Sequence, residues 1–197
     1  MRGQHILVGL TGNIATGKTC VARILADLGA HVIDADQVAH EVMQPGEPAY
    51  RAVIRDFGHE IMAGDGTIDR PKLGEIVFRD PAALRRLEQA VHPEVIAEVK
   101  QRITQAPAKV VVIEAIKLLE SGMHRDCDAV WVVTAPRGLQ IARLMATRDM
   151  TREKAVLRIE AQPSQEEKTA VADVIIVNDG DLDALRDQVE VAWAQLS

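Results

Sequence analysis

Residues 12–19 read Gly12-Asn13-Ile14-Ala15-Thr16-Gly17-Lys18-Thr19, a complete G-x-x-x-x-G-K-S/T phosphate loop. It stands directly after an apolar run, Ile6-Leu7-Val8-Gly9-Leu10, and before residues at helical spacing, which is the strand–loop–helix setting such a loop requires. Its glycines permit the turns that aim successive backbone N–H groups at an anion. The helix that opens near Lys18 adds the positive end of its dipole. Lys18 has the reach to touch β- and γ-phosphates, and the Thr19 hydroxyl can ligate Mg²⁺. The stretch predicts a nucleoside triphosphate site.

Outward from the loop, four more short β-branched runs follow: His31–Asp34, Val110–Glu114, Ala129–Thr134 and Val174–Val177. Their unbroken hydrophobicity suits a parallel sheet buried on both faces. Val21, Ile24, Leu25 and Leu28 make a helical stripe that Gly29 should end from the C′ position. Leu182, Leu185, Val189, Trp193 and Leu196 line one face of a C-terminal helix. Strand–helix alternation predicts a doubly wound α/β fold, and 197 residues suffice for one such unit with a modest insertion.

Residues 37–109 interrupt that alternation. They contain no convincing strand, turns at Pro45-Gly46 and Gly64-Asp65-Gly66, and two helices. Asp80-Pro81 opens the first, with Leu84, Leu87 and Val91 on one face; Pro93 opens the second, with Val95, Ile96, Val99 and Ile103. The expectation is a helical insertion that takes the second substrate. Residues 139–168 carry Arg143, Arg148, Arg152 and Arg158, then a Ser164-Gln165-Glu166-Glu167 capping box. A cationic helical hairpin can close over phosphates as a lid; the alternative is a solvated charged face.

Composition removes other classes. A net charge of −6 leaves no basic footprint for nucleic acid, so a local Lys/Arg cluster must hold the anionic ligand. No secretion signal or 18-residue apolar run points to a membrane. Two distant cysteines, Cys20 and Cys127, fit a reducing compartment. A cytoplasmic protein is expected, its oligomeric state open with a monomer favoured.

Val32-Ile33-Asp34-Ala35-Asp36 places two carboxylates at the C-terminal rim of the second strand, where ligands bind in open α/β sheets. Asp36 either takes the proton of an attacking hydroxyl or caps the helix that follows. Val110–Glu114 has the form of a Walker B strand, with Glu114 placed to orient Mg²⁺; Lys117 and Glu120 follow at the same rim. His92, between two expected helices, reads first as a hydrogen-bonded helix-end residue. A GTPase switch would need D-x-x-G and N-K-x-D, and neither is present. A small-molecule kinase fits the length, the helical insertion and the arginine-bearing lid.

The residues also resemble the dephospho-CoA kinase family from Ile6 to Asn178. The matches include Leu10–Thr19, Ala26-Asp27-Leu28-Gly29, Val32–Asp36, Asp65–Arg70 with Leu73, and Val77-Phe78. His92-Pro93, Glu114-Ala115, Arg143, Arg148-Asp149, Arg158-Ile159 with Gln162, and Ala172-Asp173 with Asn178 continue them. The resemblance implies phosphorylation by ATP of the ribose 3′-hydroxyl of dephospho-CoA, with Mg²⁺, on a five-stranded parallel sheet of order 2-3-1-4-5. It implies Asp36, Lys18 and Arg143 as catalytic residues. ATP would be bound by Gly12, Asn13, Ile14, Ala15, Thr16, Gly17, Lys18, Thr19, Cys20, Arg143, Arg148 and Asn178, with Mg²⁺ at Thr19. Asp36, Arg70, Leu73, His92 and Lys117 would contact the acceptor, Lys117 being either a phosphate contact or a solvated side chain. Arg143 and Arg148 are five apart, hence not on one helix face, and Arg143 should lie deeper. Asn13 and Ala15 replace two glycines of the family loop, and Ile116-Lys117 stands where the family commonly has Pro-Leu. A nucleoside or nucleotide kinase of the same fold, or a non-catalytic ATP-binding regulator, is the alternative.

Overall fold

The computed structural model describes residues 5–196. Its strands β1 (Ile6–Thr11), β2 (His31–Asp34), β3 (Val110–Glu114), β4 (Ala129–Thr134) and β5 (Val174–Val177) form one sheet. The order is β2-β3-β1-β4-β5 and every pairing is parallel. The five apolar runs of the sequence become these strands, and the order implied by the resemblance is the order found. β1 is central, so the loop that follows it leaves the middle of the sheet's C-terminal edge.

The helices are α1 (Lys18–Asp27), α2 (Ala35–Glu41), α3 (Pro48–Phe57), α4 (Arg70–Arg79) and α5 (Pro81–Gln105). After β4 come α6 (Arg137–Arg148), α7 (Arg152–Glu160), α8 (Gln165–Thr169) and, last, α9 (Leu182–Trp193). The chain folds as two compact units: Met1–Asp34 with Ala106–Ser197, and Ala35–Gln105.

In the first unit, side-chain alternation sends Val8, Leu10, Val112, Trp131, Val133 and Ile176 to one face of the sheet. Val21, Ile24 and Leu25 of α1, with Leu185, Val189 and Ala192 of α9, cover that face. α1 ends as its sequence foretold. Gly29 has φ 101°, its N–H donates to Ala26 C=O, and the Ala30 N–H donates to Leu25 C=O, a Schellman motif. Leu182 departs from its expected place in the core stripe. It is 59% exposed and lines the nucleotide-side cavity. On the opposite face, a Cβ on Gly9 would meet Leu118 Cδ2 at 2.7 Å and Cys127 Sγ at 3.0 Å, so the chain after β3 packs directly on β1. Burial there pushes the Cys127 thiol up to about 12, an inert packing sulfur.

In the second unit, α2, α3 and α4 all pack on α5. The two helices expected on either side of His92-Pro93 are one continuous helix of 25 residues with Pro93 inside it. Pro93 deprives Gln89 C=O of its amide donor and crowds it. Even so, Ala83, Val91, Val95 and Val99 on both sides are buried in one stripe, and that shared burial outweighs the break. Arg102 on α5 clasps Glu41 on α2 as well as Glu98. The hydrogen bond from Arg102, then that from Gln37, holds the Glu41 carboxyl below its usual range. This brace is therefore intact at neutral pH and is lost as pH falls through that lowered value.

Pro93 is exposed, so Pro93→Ala restores a backbone bond without disturbing packing. It should stabilise the protein by roughly 1–2 kcal/mol, the gain in the helix less the loss of proline's stiffening of the unfolded chain. A higher urea midpoint at unchanged m-value is the expected result; a lower one would mean that the bend itself is needed for packing.

Candidate active site

The loop after β1 is shaped by left-handed residues: Ala15 has φ 59° and Gly17 φ 96°, with Gly12 at φ 154°. Alternation of right- and left-handed residues makes successive N–H groups converge on an anion. Two glycines are also fixed by space. A Cβ on Gly12 would lie 2.3 Å from Val133 C=O, and one on Gly17 would lie 2.0 Å from Asn178 Nδ2. Ala15 carries a side chain where its backbone conformation favours glycine, at a cost of about 1 kcal/mol. Thr16 closes the turn, its hydroxyl donating to Asn13 C=O at 2.9 Å.

Asn178, directly after β5, ties the loop to helix α6. Its Nδ2 donates to Thr16 C=O at 2.8 Å. Arg143 of α6 donates to Asn178 Oδ1 at 3.0 Å, to Asn178 C=O at 3.3 Å and to Ala15 C=O at 3.2 Å. Helices α6 and α7 present more than a solvated face: their Ile141, Leu144 and Ala155 form a buried apolar cluster with Ile14 of the loop. Arg143 is half-buried and Arg148, the last residue of α6, is exposed.

A cavity of about 490 Å³ opens beside the loop. Ile14, Ala15, Gly17, Lys18, Thr19, Cys20, Arg143, Arg148 and Asn178 all line it, which brings together most of the residues assigned to ATP. Gly12, Asn13 and Thr16 do not line it. They shape the loop from behind, Asn13 donating from Nδ2 to Pro163 C=O at 2.9 Å while its Oδ1 is buried without a partner. Lys18 is nine-tenths buried at the start of α1. The Thr19 hydroxyl donates to Glu114 Oε1 at 3.0 Å. This places the hydroxyl and the Walker B-like carboxylate together, a hard-oxygen pair suited to Mg²⁺ that also takes phosphate oxygens. Among the described residues no group of three or more His, Cys, Asp or Glu could hold a metal alone.

The residues assigned to the acceptor are divided between the units. Lys117 is exposed in the segment after β3. Asp36 lies inside the first turn of α2, so the residue preceding that helix is Asp34 and Asp36 is not its cap. Arg70 opens α4 and donates to His40 C=O at 3.3 Å; burial lowers its pKa, although an arginine stays charged at neutral pH. Arg70 and the buried Leu73 line a cavity of about 160 Å³ with Met43, Ile68 and Val77. His92 is half-buried inside α5 rather than at a helix end.

A family profile for dephospho-CoA kinases matches residues 6–184. The chain belongs to the dephospho-CoA kinase family. It is 43% identical to the dephospho-CoA kinase of Carboxydothermus hydrogenoformans over 93% of this chain and 90% of that relative. It is 45% identical to the Symbiobacterium thermophilum dephospho-CoA kinase over 95% of this chain and 80% of that one. A Thermus thermophilus protein of known structure superposes at TM-score 0.87 and 33% identity, covering 99% of this chain and all of the other. The Campylobacter jejuni dephospho-CoA kinase superposes at 0.69 and 28%, over 97% and 96% of the two chains. A shikimate kinase from Acinetobacter baumannii, at 0.52 and 18% identity over 98% and 93%, shares the fold alone.

Within this family framework, two contributions escaped the sequence reading. Gln162, between α7 and α8, accepts the Ile14 N–H on its Oε1 at 2.7 Å; its place in the resemblance was visible, its contact was not. Gly180 and Asp181 form cavity wall, because β4 and β5 stand beside β1 in the sheet although far along the chain.

Gly17→Ala should lose at least about 1–2 kcal/mol from its left-handed backbone alone, before the clash with Asn178 is counted. Ala15→Gly should gain at most about 1 kcal/mol, the relief of the same strain less the added freedom of the unfolded chain. Thermal melts with and without ATP check both: the first variant should lose the ATP-induced shift, the second keep it.

Proposed function

We propose that this chain transfers the γ-phosphoryl group of ATP to the ribose 3′-hydroxyl of dephospho-CoA, releasing ADP and coenzyme A. The observation that carries this reading is the family match at residues 6–184, which covers most of the phosphate-loop unit and the whole helical unit. Similarity confined to the phosphate loop would support no particular acceptor.

In this reading the triphosphate lies in the cavity beside the loop. Lys18 and Arg143 neutralise charge on the transferring phosphoryl group, the main catalytic contribution for a loose transition state. Arg148 adds charge as the lid closes and water is excluded. Thr19, oriented by Glu114, would hold Mg²⁺, which supplies further charge neutralisation when bound. Asp36 accepts the proton of the ribose hydroxyl as its oxygen bonds to phosphorus and the bond to the ADP oxygen breaks. Support for that role is the family resemblance and position: Asp36 follows the rim of β2 by two residues, about 7 Å of chain at most. Arg70 and Leu73 then belong to the acceptor cavity, an apolar wall with one cation suited to a phosphate-bearing, partly apolar acceptor. We place the reaction in the cytoplasm, on the grounds of the two separated thiols.

A coupled ADP-release assay with dephospho-CoA, adenosine and AMP as acceptors tests the assignment. Turnover with dephospho-CoA far above the other two is expected; preference for adenosine or AMP, or ATP binding with no transfer, would overturn it. Lys18→Ala should cut kcat by more than about 100-fold with the fold intact. Asp36→Asn should cut kcat by roughly 100-fold or more at little change in ATP affinity or melting temperature. Normal turnover in Asp36→Asn would move the base elsewhere.

A further inference from the structure

Gln188 lies on α9, outside every motif described above and outside the lining of the nucleotide cavity. Its amide brackets the last residue of β5. The Val177 N–H donates to Gln188 Oε1 at 2.9 Å, and Gln188 Nε2 donates to Val177 C=O at 2.9 Å. A third bond, from Nε2 to Ala184 C=O at 3.3 Å, fastens the side chain to its own helix. β5 is an edge strand, so the outward N–H and C=O of Val177 have no neighbouring strand to pair with. The glutamine amide supplies the missing rung, and as a two-point contact it constrains both position and rotation of the strand end.

The residue that follows is Asn178. Its N–H donates to Thr134 C=O at 2.8 Å, so β4 holds it from one side while Gln188 holds its neighbour from the other. Asn178 in turn bonds both the phosphate loop and α6, donating to Thr16 C=O and accepting from Arg143. Its amide also occupies the space that a side chain on Gly17 would need. Side-chain hydrogen bonds weaken steeply with misalignment, and a shift of the strand end would disturb all of these contacts together. We propose that Gln188 is a positioning residue for the nucleotide site, acting through Val177 and Asn178 to set the phosphate loop and Arg143. Gly180 and Asp181, in the loop between the clamped ends, form part of the cavity wall, so the same clamp frames the entrance. This inference rests on the reading of that cavity as the ATP site.

The test measures ATP affinity by calorimetry, the KM for each substrate and the melting temperature for wild type, Gln188→Leu, Asn178→Ala and the double variant. Gln188→Leu keeps the bulk and removes the bidentate pair. The expected result is an ATP Kd and ATP KM raised roughly tenfold, the loss of about one well-formed hydrogen bond, with the acceptor KM unchanged. In the Asn178→Ala background the Gln188 change should add nothing further, because the path runs through Asn178. Gln188→Glu, which keeps the Val177 N–H partner and loses the donor, should move ATP affinity in the same direction and keeps the question open to test if the leucine variant does not fold. Unchanged ATP affinity in both Gln188 variants, or an equal further loss in the Asn178→Ala background, would overturn the proposal. A wild-type protein that binds no ATP would instead overturn the assignment of the cavity itself.

Discussion

The site depends on one contact, the Asn178 amide pressed into the space left by the absent side chain of Gly17. A phosphate loop must turn its N–H groups toward an anion, and that leaves its carbonyl groups pointing the other way in need of donors. Asn178 supplies one to Thr16 C=O, and its own oxygen accepts from Arg143, which also reaches Ala15 C=O. One side chain therefore holds the back of the loop and orients the cation that faces the cavity.

The sheet makes that contact possible. β1 delivers the loop from the centre of the edge, and β4 lies between it and β5. Gly12 lets the loop approach so closely that a side chain there would meet Val133 C=O. Helices α6 and α7, and Gln162 that follows them, are anchored on the same loop through Ile14. Further along, the fully buried Lys168 of α8 donates to Ile116 C=O, which also accepts from the Thr11 hydroxyl at 3.2 Å. The segment where family members commonly have proline is thus held by its carbonyl, a contact that does not require the proline ring.

The chain tolerates local violations where packing or bonding surrounds them. Ala15 is held left-handed by its neighbours, and Asn13 fits in a glycine position by bonding Pro163 at the expense of one unsatisfied oxygen. Pro93 stays within α5 because the apolar stripe on both of its sides is buried. A proline in sequence signals a helix boundary through local sterics alone, and that signal loses to packing that the local sequence does not display.

Properties that depend on neighbours in the chain were legible from the sequence: the five strands, the phosphate loop, the glycine stop of α1, and the helix opened by Pro81. Each is set by backbone sterics or by the period of apolar residues over a few positions. The family resemblance added the strand order and the likeness of distant segments. Only the tertiary structure decided what depends on distant residues meeting. It joined the helices around Pro93, turned Leu182 toward the cavity, and set Asp36 within rather than before α2. It also brought Asn178 and Gln162 to a loop some 150 positions earlier in the chain. A hydrogen bond has no sequence period. Its partners become visible only when the sheet order has set which strand ends are neighbours.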